Sequence, residues 1–256
     1  MKKLFTIILI AISATAYGQS LSMIEKDLLK NLKRIHYWSE IGYRDKLSVG
    51  DSLNKENSLL KKKLLKYTKN QPLTLRNDFK ALQKEGLTIA TSADKKFRIY
   101  SWDTYTGGTM HFFENVYQYQ TGNTVSAKAM GSSDDAKGFF SEIFTMRTNA
   151  GPIYLGYLHA ILSTKLAYQN VSLFKIENRQ ITDIDLIKTK SGLHNSLGFE
   201  FDFFSVADRK ERPVKLIYFD EAKKEIKIPL VKANGEVTPK FITYQYTGSY
   251  FEREQK

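Results

Sequence analysis

Apolar positions in the first third of the chain recur every three or four residues. Leu21, Ile24, Leu28, Leu32, Ile35 and Trp38 share one helical face with lysines and acids between them, which predicts a helix over residues 21–41 with Gly42 as its C-cap. A second helix is predicted over residues 51–69, with Leu53, Leu60, Leu64 and Tyr67 as its stripe and Asp51 or Ser52 as N-cap. The short connection between them implies an antiparallel helical hairpin. Pro72 ends the pattern, and Thr74 is placed to cap a short third helix carrying Leu75, Phe79 and Leu82 and closed by Gly86.

From about Leu87 the period changes to two. Strands are predicted near residues 98–102, 109–119, 124–129, 139–148, 153–162, 171–176, 181–187, 198–206, 214–219, 225–230 and 241–250, separated by turn-forming clusters such as Gln120 to Asn123 and Ala233 to Gly235. Phe199, Phe201 and Phe203 alternate with Glu200 and Asp202, and Ile226, Ile228 and Leu230 alternate with polar or turn-compatible neighbours, so each run should bury one face. The polar stretch from Gly131 to Gly138 reads as a loop. Many short strands without an intervening long helix mean antiparallel sheet, as a sandwich, barrel or meander. The fold class expected is therefore α+β: a helical segment, residues 19–86, packed on an antiparallel β domain, residues 87–256.

The densest aromatic stretch is Phe97 to Tyr119, a predicted β-hairpin whose loop holds Gly107 and Gly108. On its first strand Arg98, Tyr100 and Trp102 alternate with Phe97, Ile99 and Ser101. If the second set is buried, the first presents an Arg–Tyr–Trp ladder of the kind that dominates protein hot spots and stacks on sugar rings. Arg98, Tyr100 and Trp102 are accordingly the expected ligand contacts, with Asp103 and His111 at the rim.

The N-terminus modifies this picture. Lys2 and Lys3, the apolar run from Leu4 to Ile12 and the Ala16-Tyr17-Gly18 triplet predict an export signal over residues 1–18, cleaved after Gly18. Removal of 18 of the 256 residues leaves 238, enough for one large domain or a helical unit plus a β domain. No later run is apolar and long enough for a transmembrane helix. The chain has no cysteine, which excludes disulfides, thiol catalysis, cysteine-based metal sites and a lipidated N-terminal cysteine. The net charge of +12 would suggest nucleic acid for a cytosolic protein, but export favours an envelope or extracellular protein or glycan, or simply a lysine-rich solvated surface.

Motif chemistry is sparse. There is no nucleophile elbow, Ser-x-x-Lys or phosphate-binding loop. His36, His111, His159 and His194 lack metal-ligand spacing, so neither a metal nor a cofactor is expected. The best enzymatic pattern is the pair Asp103 and Glu114, two carboxylates among aromatics that would suit glycoside hydrolysis; the simpler role for Asp103 is a turn cap. Trp102-Asp103 after a short turn is similar to a WD40 blade ending, but propellers repeat that signature at about 40-residue intervals and residues near 140–145 and 180–185 lack it. The Ile99-Tyr-Ser-Trp-Asp103 and Gly107-Gly-Thr-Met110 segments, with Leu173 to Asn178, resemble uncharacterised exported bacterial β-rich proteins. That resemblance runs loosely from Leu87 to the C-terminus and implies an exported β domain without a known activity. Binding is thus the expected function, with a carbohydrate-active hydrolase as the alternative.

Overall fold

The computed structural model describes residues 2–45, 48–130 and 138–255, with side chains from Leu21 onward. The expected leader, residues 1–18, lies outside the residues whose side chains are described, and most of the Gly131–Gly138 loop lies outside the described residues.

Helix α1 (Lys2–Asp45) and helix α2 (Gly50–Asn70) form the helical hairpin. Ile24, Leu28, Leu32 and Ile35 of α1 and Leu53, Leu60 and Leu64 of α2 are buried in one core, as their spacing predicts. Polar ties reinforce it: Lys63 donates to Asp27 and Asn31, Asn31 donates to Glu56, and the Tyr67 hydroxyl donates to Asp27. The helix ends differ from expectation. Helix α1 runs through Gly42, and α2 begins after Val49 with no side-chain cap, so neither Asp51 nor Ser52 serves as N-cap. Thr74 lies within a single 3-10 turn (Pro72–Leu75) rather than capping a helix, and the short helix α3 (Lys80–Lys84) starts after Phe79, whose φ is +47°.

The remaining described residues build three sheets. Strands β1 (Thr88–Thr91), β2 (Phe97–Asp103), β3 (Phe113–Thr121) and β4 (Thr124–Ala129) form the first in sequential antiparallel order. Strands β5 (Phe139–Thr148), β6 (Gly151–Ile161) and β7 (Leu166–Glu177), with the short β8 (Gln180–Asp183), begin the second; β9 (Ile187–Thr189) and β10 (Gly192–His194) begin the third; and β11 (Ser196–Asp202) returns to the second beside β7. After a 3-10 turn (Phe203–Val206), β12 (Tyr218–Asp220), β13 (Glu225–Val231), β14 (Val237–Tyr246) and β15 (Phe251–Arg253) complete the third sheet in the order β10-β9-β15-β14-β13-β12. Pairing is antiparallel except between β15 and β9.

Three apolar cores join these units in series. The helices pack on Tyr100, Trp102 and Val116 of the first sheet. Phe97, Ile99, Tyr117 and Tyr119, on the opposite face, meet Phe140, Ile143, Tyr154 and Phe174 of the second. The other face of the second sheet, including Met146, Leu155, Tyr157 and Leu173, meets Ile226, Ile228, Tyr244 and Phe251 of the third. The first two sheets are therefore covered on both faces. Within the second sheet Gly156 leaves room for the rings of Phe140 and Phe174, since a Cβ there would lie 2.9 Å from each.

The expected two-residue alternation breaks at the ends of two runs: β11 stops at Asp202, so Phe203 opens a 3-10 turn instead of extending the strand, and β13 loses its period after Ile228. Ile226 and Ile228 are buried as expected, but Leu230 is 43 % exposed. The register shifts between Pro229 and Val231, and such an irregularity reverses which side chains face inward.

Candidate functional site

The hairpin of β2 and β3 forms, with Trp102 opposite Glu114 and Asp103 opposite Phe113, but β3 starts at Phe113 instead of near residue 109, which lengthens the loop. Its aromatic ladder does not face solvent. Arg98, Tyr100 and Trp102 are 4 %, 0 % and 1 % exposed, because the helical hairpin covers the face that the alternation left open. Their polar atoms are used internally. The Arg98 guanidinium donates to the carbonyls of Thr74 and Asn77 and to the Thr91 hydroxyl. The single Tyr100 hydroxyl proton is shared between Thr74 O and Gln118 Oε1, and the Trp102 indole donates to Asn57. These three residues tie the helices to the sheet and do not line a groove.

The other two expected residues do. A groove of about 520 Å³ lies between the C-terminal part of α1, the start of α2 and the loop joining β2 to β3; Ser39, Glu40, Tyr43, Asp103, Tyr105 and His111 contribute to its walls. The loop is shaped by its own chemistry. Asp103 Oδ1 accepts from the Tyr105 amide at 2.8 Å, the bond expected of an Asp that caps a turn. Gly107 has no room for a side chain, since a Cβ would lie 2.0 Å from Met110 O.

The second Asp103 oxygen, Oδ2, meets His111 Nδ1 at 2.5 Å. This fixes the imidazole plane and leaves Nε2 as the ring's remaining polar atom, on a side chain 39 % exposed. Tyr105 has φ of +54°, a conformation that costs a non-glycine residue energy and persists where surrounding structure imposes it. Its hydroxyl lies 3.2 Å from His36 Nε2, while His36 Nδ1 meets Glu85 Oε1 at 2.9 Å. Burial, with the negative charges of Asp103 and Glu85, raises the Tyr105 pKa and keeps the phenol protonated. The chain Glu85–His36–Tyr105 thus stands beside the Asp103–His111 pair. Composition and spacing gave no signal for Glu40 and Tyr43, neighbours on α1 that meet the Asp103–Tyr105 loop only in the fold, or for Tyr105 itself.

Glu114 is not part of this groove. It shares the strand face of its partner Trp102, toward α2, where it forms an ion pair with Lys61 at 3.0 Å. Asp103 belongs to the alternate face with Phe113, so the carboxylates expected to act as a pair point to opposite sides of the hairpin. Lys61 and Lys63 of α2 form half-buried ion pairs with Glu114 and Asp27. Among the described residues no group of three or more acidic or histidine side chains is arranged to hold a metal ion, and no helix is long and apolar enough to cross a membrane. No family model matches this chain, and neither a curated protein nor a solved structure matches it.

Proposed function

We propose that the protein is exported and acts outside the cytoplasm as a non-enzymatic binder of an envelope or extracellular glycan, held in the groove beside the β2–β3 loop. The observation that carries this reading is the Asp103–His111 pair in a groove also walled by Tyr43 and Tyr105. Carboxylates accept hydrogen bonds from sugar hydroxyls, the imidazole Nε2 adds an oriented polar atom, and tyrosine rings offer apolar faces on which a pyranose stacks. The volume suits a few sugar units, within the range of about 300–1,000 Å³ usual for small-molecule sites. The formal charge of +12, or +10 once Lys2 and Lys3 leave with the leader, favours an anionic polymer over a cationic one.

Binding of a panel of soluble envelope oligosaccharides, followed by calorimetry, tests the reading. Tyr105→Ala should weaken binding at least about tenfold, by analogy with the roughly 1–3 kcal/mol of an aromatic stacking contact, while far-UV circular dichroism stays native. Asp103→Asn should weaken it by loss of the charged acceptor. Retention of full affinity in both variants would remove the groove from consideration. Release of reducing ends during the assay would favour a hydrolase instead, with Asp103 and Glu40 as the carboxylates that share the groove.

A further inference from the structure

A second cavity, of about 480 Å³, lies against the second sheet. Two cross-strand rows line it. One row is Phe139, His159 and Gln169; the other is Ile161, Ala167 and Phe201. Ala167 sits between two large neighbours, and its short side chain leaves the space that a larger residue would fill. Phe203, Pro213 and Val214 supply further apolar wall, and Arg212, exposed, stands at the edge.

The polar atoms within the rows are already satisfied. The Tyr157 hydroxyl accepts from the amides of Leu216 and Ile217, so its own proton goes to Gln169 Oε1. That fixes the Gln169 amide, whose Nε2 donates to Val214 O and to His159 Nδ1. His159 Nδ1 is then the unprotonated nitrogen, and Nε2–H donates to Ser141 Oγ at 2.7 Å. The Ser141–His159 contact is therefore the reverse of a base activating a nucleophile, and no serine hydrolase chemistry is available there. A ligand reaching these rows meets an apolar surface with no unmet donor or acceptor on His159 or Gln169.

The edge differs. Arg212 gives three of its N–H groups to the carbonyls of Ala207, Arg209 and Glu211, and a guanidinium has five, so two remain. Lys215, whose ammonium pairs with Glu142, lies in an adjoining cavity of about 200 Å³ that shares His159 and Pro213.

We propose that this cavity binds a single-chain anionic amphiphile, its alkyl chain along the Ala167 rows and its carboxylate at Arg212. The apolar lining selects the chain, and the remaining guanidinium donors select the sign of the head group. The site shares no lining residue with the groove at Asp103 and His111, although the His111 amide donates to the carbonyl of Ile161 at its edge.

Calorimetry with dodecanoate below its micellar concentration provides the test. Saturable one-to-one binding is expected, with affinity rising roughly fourfold per added methylene from octanoate to dodecanoate. Dodecyltrimethylammonium, with the same chain and the opposite charge, should bind at least about tenfold more weakly. Ala167→Leu should abolish most of the affinity with an unchanged circular dichroism spectrum. Should that variant fail to fold, Arg212→Gln should weaken dodecanoate while leaving dodecanol binding unaltered. Absence of saturable dodecanoate binding, equal binding of the cation, full affinity in a folded Ala167→Leu protein, equal losses of dodecanoate and dodecanol in Arg212→Gln, or loss of dodecanoate binding in Tyr105→Ala would each overturn the proposal.

Discussion

His159 shows how far a single side chain is determined by its neighbours. Burial, aided by the positive charge of Lys215, lowers its pKa to about 3 from an ordinary value of 6.5. Protonation therefore favours the unfolded chain, where the imidazole titrates normally. The corresponding stability is present in full above about pH 6.5 and is lost as the pH falls toward 3. The slope expected from this one group is roughly 1.4 kcal/mol per pH unit. Urea denaturation at pH 7, 5.5 and 4.5 measures it. His159→Gln should lose less stability than the wild type over that interval, and equal losses would show that the imidazole already titrates in the folded state. Gly156 offers a second residue-scale measurement. Gly156→Ala forces a methyl group against Phe140 and Phe174 and should cost about 1–3 kcal/mol through overpacking.

At the scale of elements, the helical hairpin covers the first sheet. Leu32 is 2 % exposed in the core shared by α1, α2 and the sheet, so Leu32→Asp buries a charge and should lower Tm sharply, by a cost of several kcal/mol. An unchanged Tm would mean that the hairpin does not pack there in solution. Trp102 belongs to the same interface. Its indole fills the core and donates to Asn57, which also donates to the carbonyls of Leu53 and Thr104. Trp102→Ala should therefore destabilise the protein by about 3–5 kcal/mol, as large-to-small changes of buried aromatics do, rather than remove a surface contact. Chemical denaturation distinguishes these outcomes: native stability combined with lost glycan binding would put Trp102 in a ligand site after all.

For the whole molecule, the serial order of helices, first sheet, second sheet and third sheet explains why both faces of β2 and β6 are apolar. Each middle sheet must match two neighbours at once. It also places the two cavities at different junctions: the groove where the helical hairpin meets the β2–β3 loop, and the apolar cavity on the second sheet beside the 3-10 turn that follows β11. Occupancy of one should leave affinity at the other unchanged, which simultaneous titration with oligosaccharide and dodecanoate reads directly. The proposed export is read at the scale of the whole chain as well. Mass spectrometry of protein recovered outside the cytoplasm should find Gln19 as the first residue, and recovery only in the cytoplasm with Met1 retained would refute it.

The sequence by itself determined the elements whose period is strong. The 3–4 spacing from Ile24 to Ile35 and from Leu53 to Leu64 specified two helices and their buried faces, because a helix places such positions on one stripe. Strands β4 and β5 were legible to their ends, Thr124–Ala129 and Phe139–Thr148, as was the α+β class. Periodicity describes one chain segment, however, and says nothing of what covers its second face. Alternation alone therefore left the Arg98–Tyr100–Trp102 face open, and only the packed hairpin showed it to be interior. Helix ends were not legible either: α1 continues past Gly42 to Asp45, and α2 starts after Val49, which packs on the helical core, without the Asp51 or Ser52 cap worth about 1 kcal/mol. Asp103 and His111 were visible because they lie eight residues apart across one turn, whereas Glu40 and Tyr43 reach the same groove from α1, far earlier in the chain. The apolar cavity had no sequence signal, because it exists where Ala167 falls between Ile161 and Phe201, and strand register, a tertiary quantity, sets that neighbourhood.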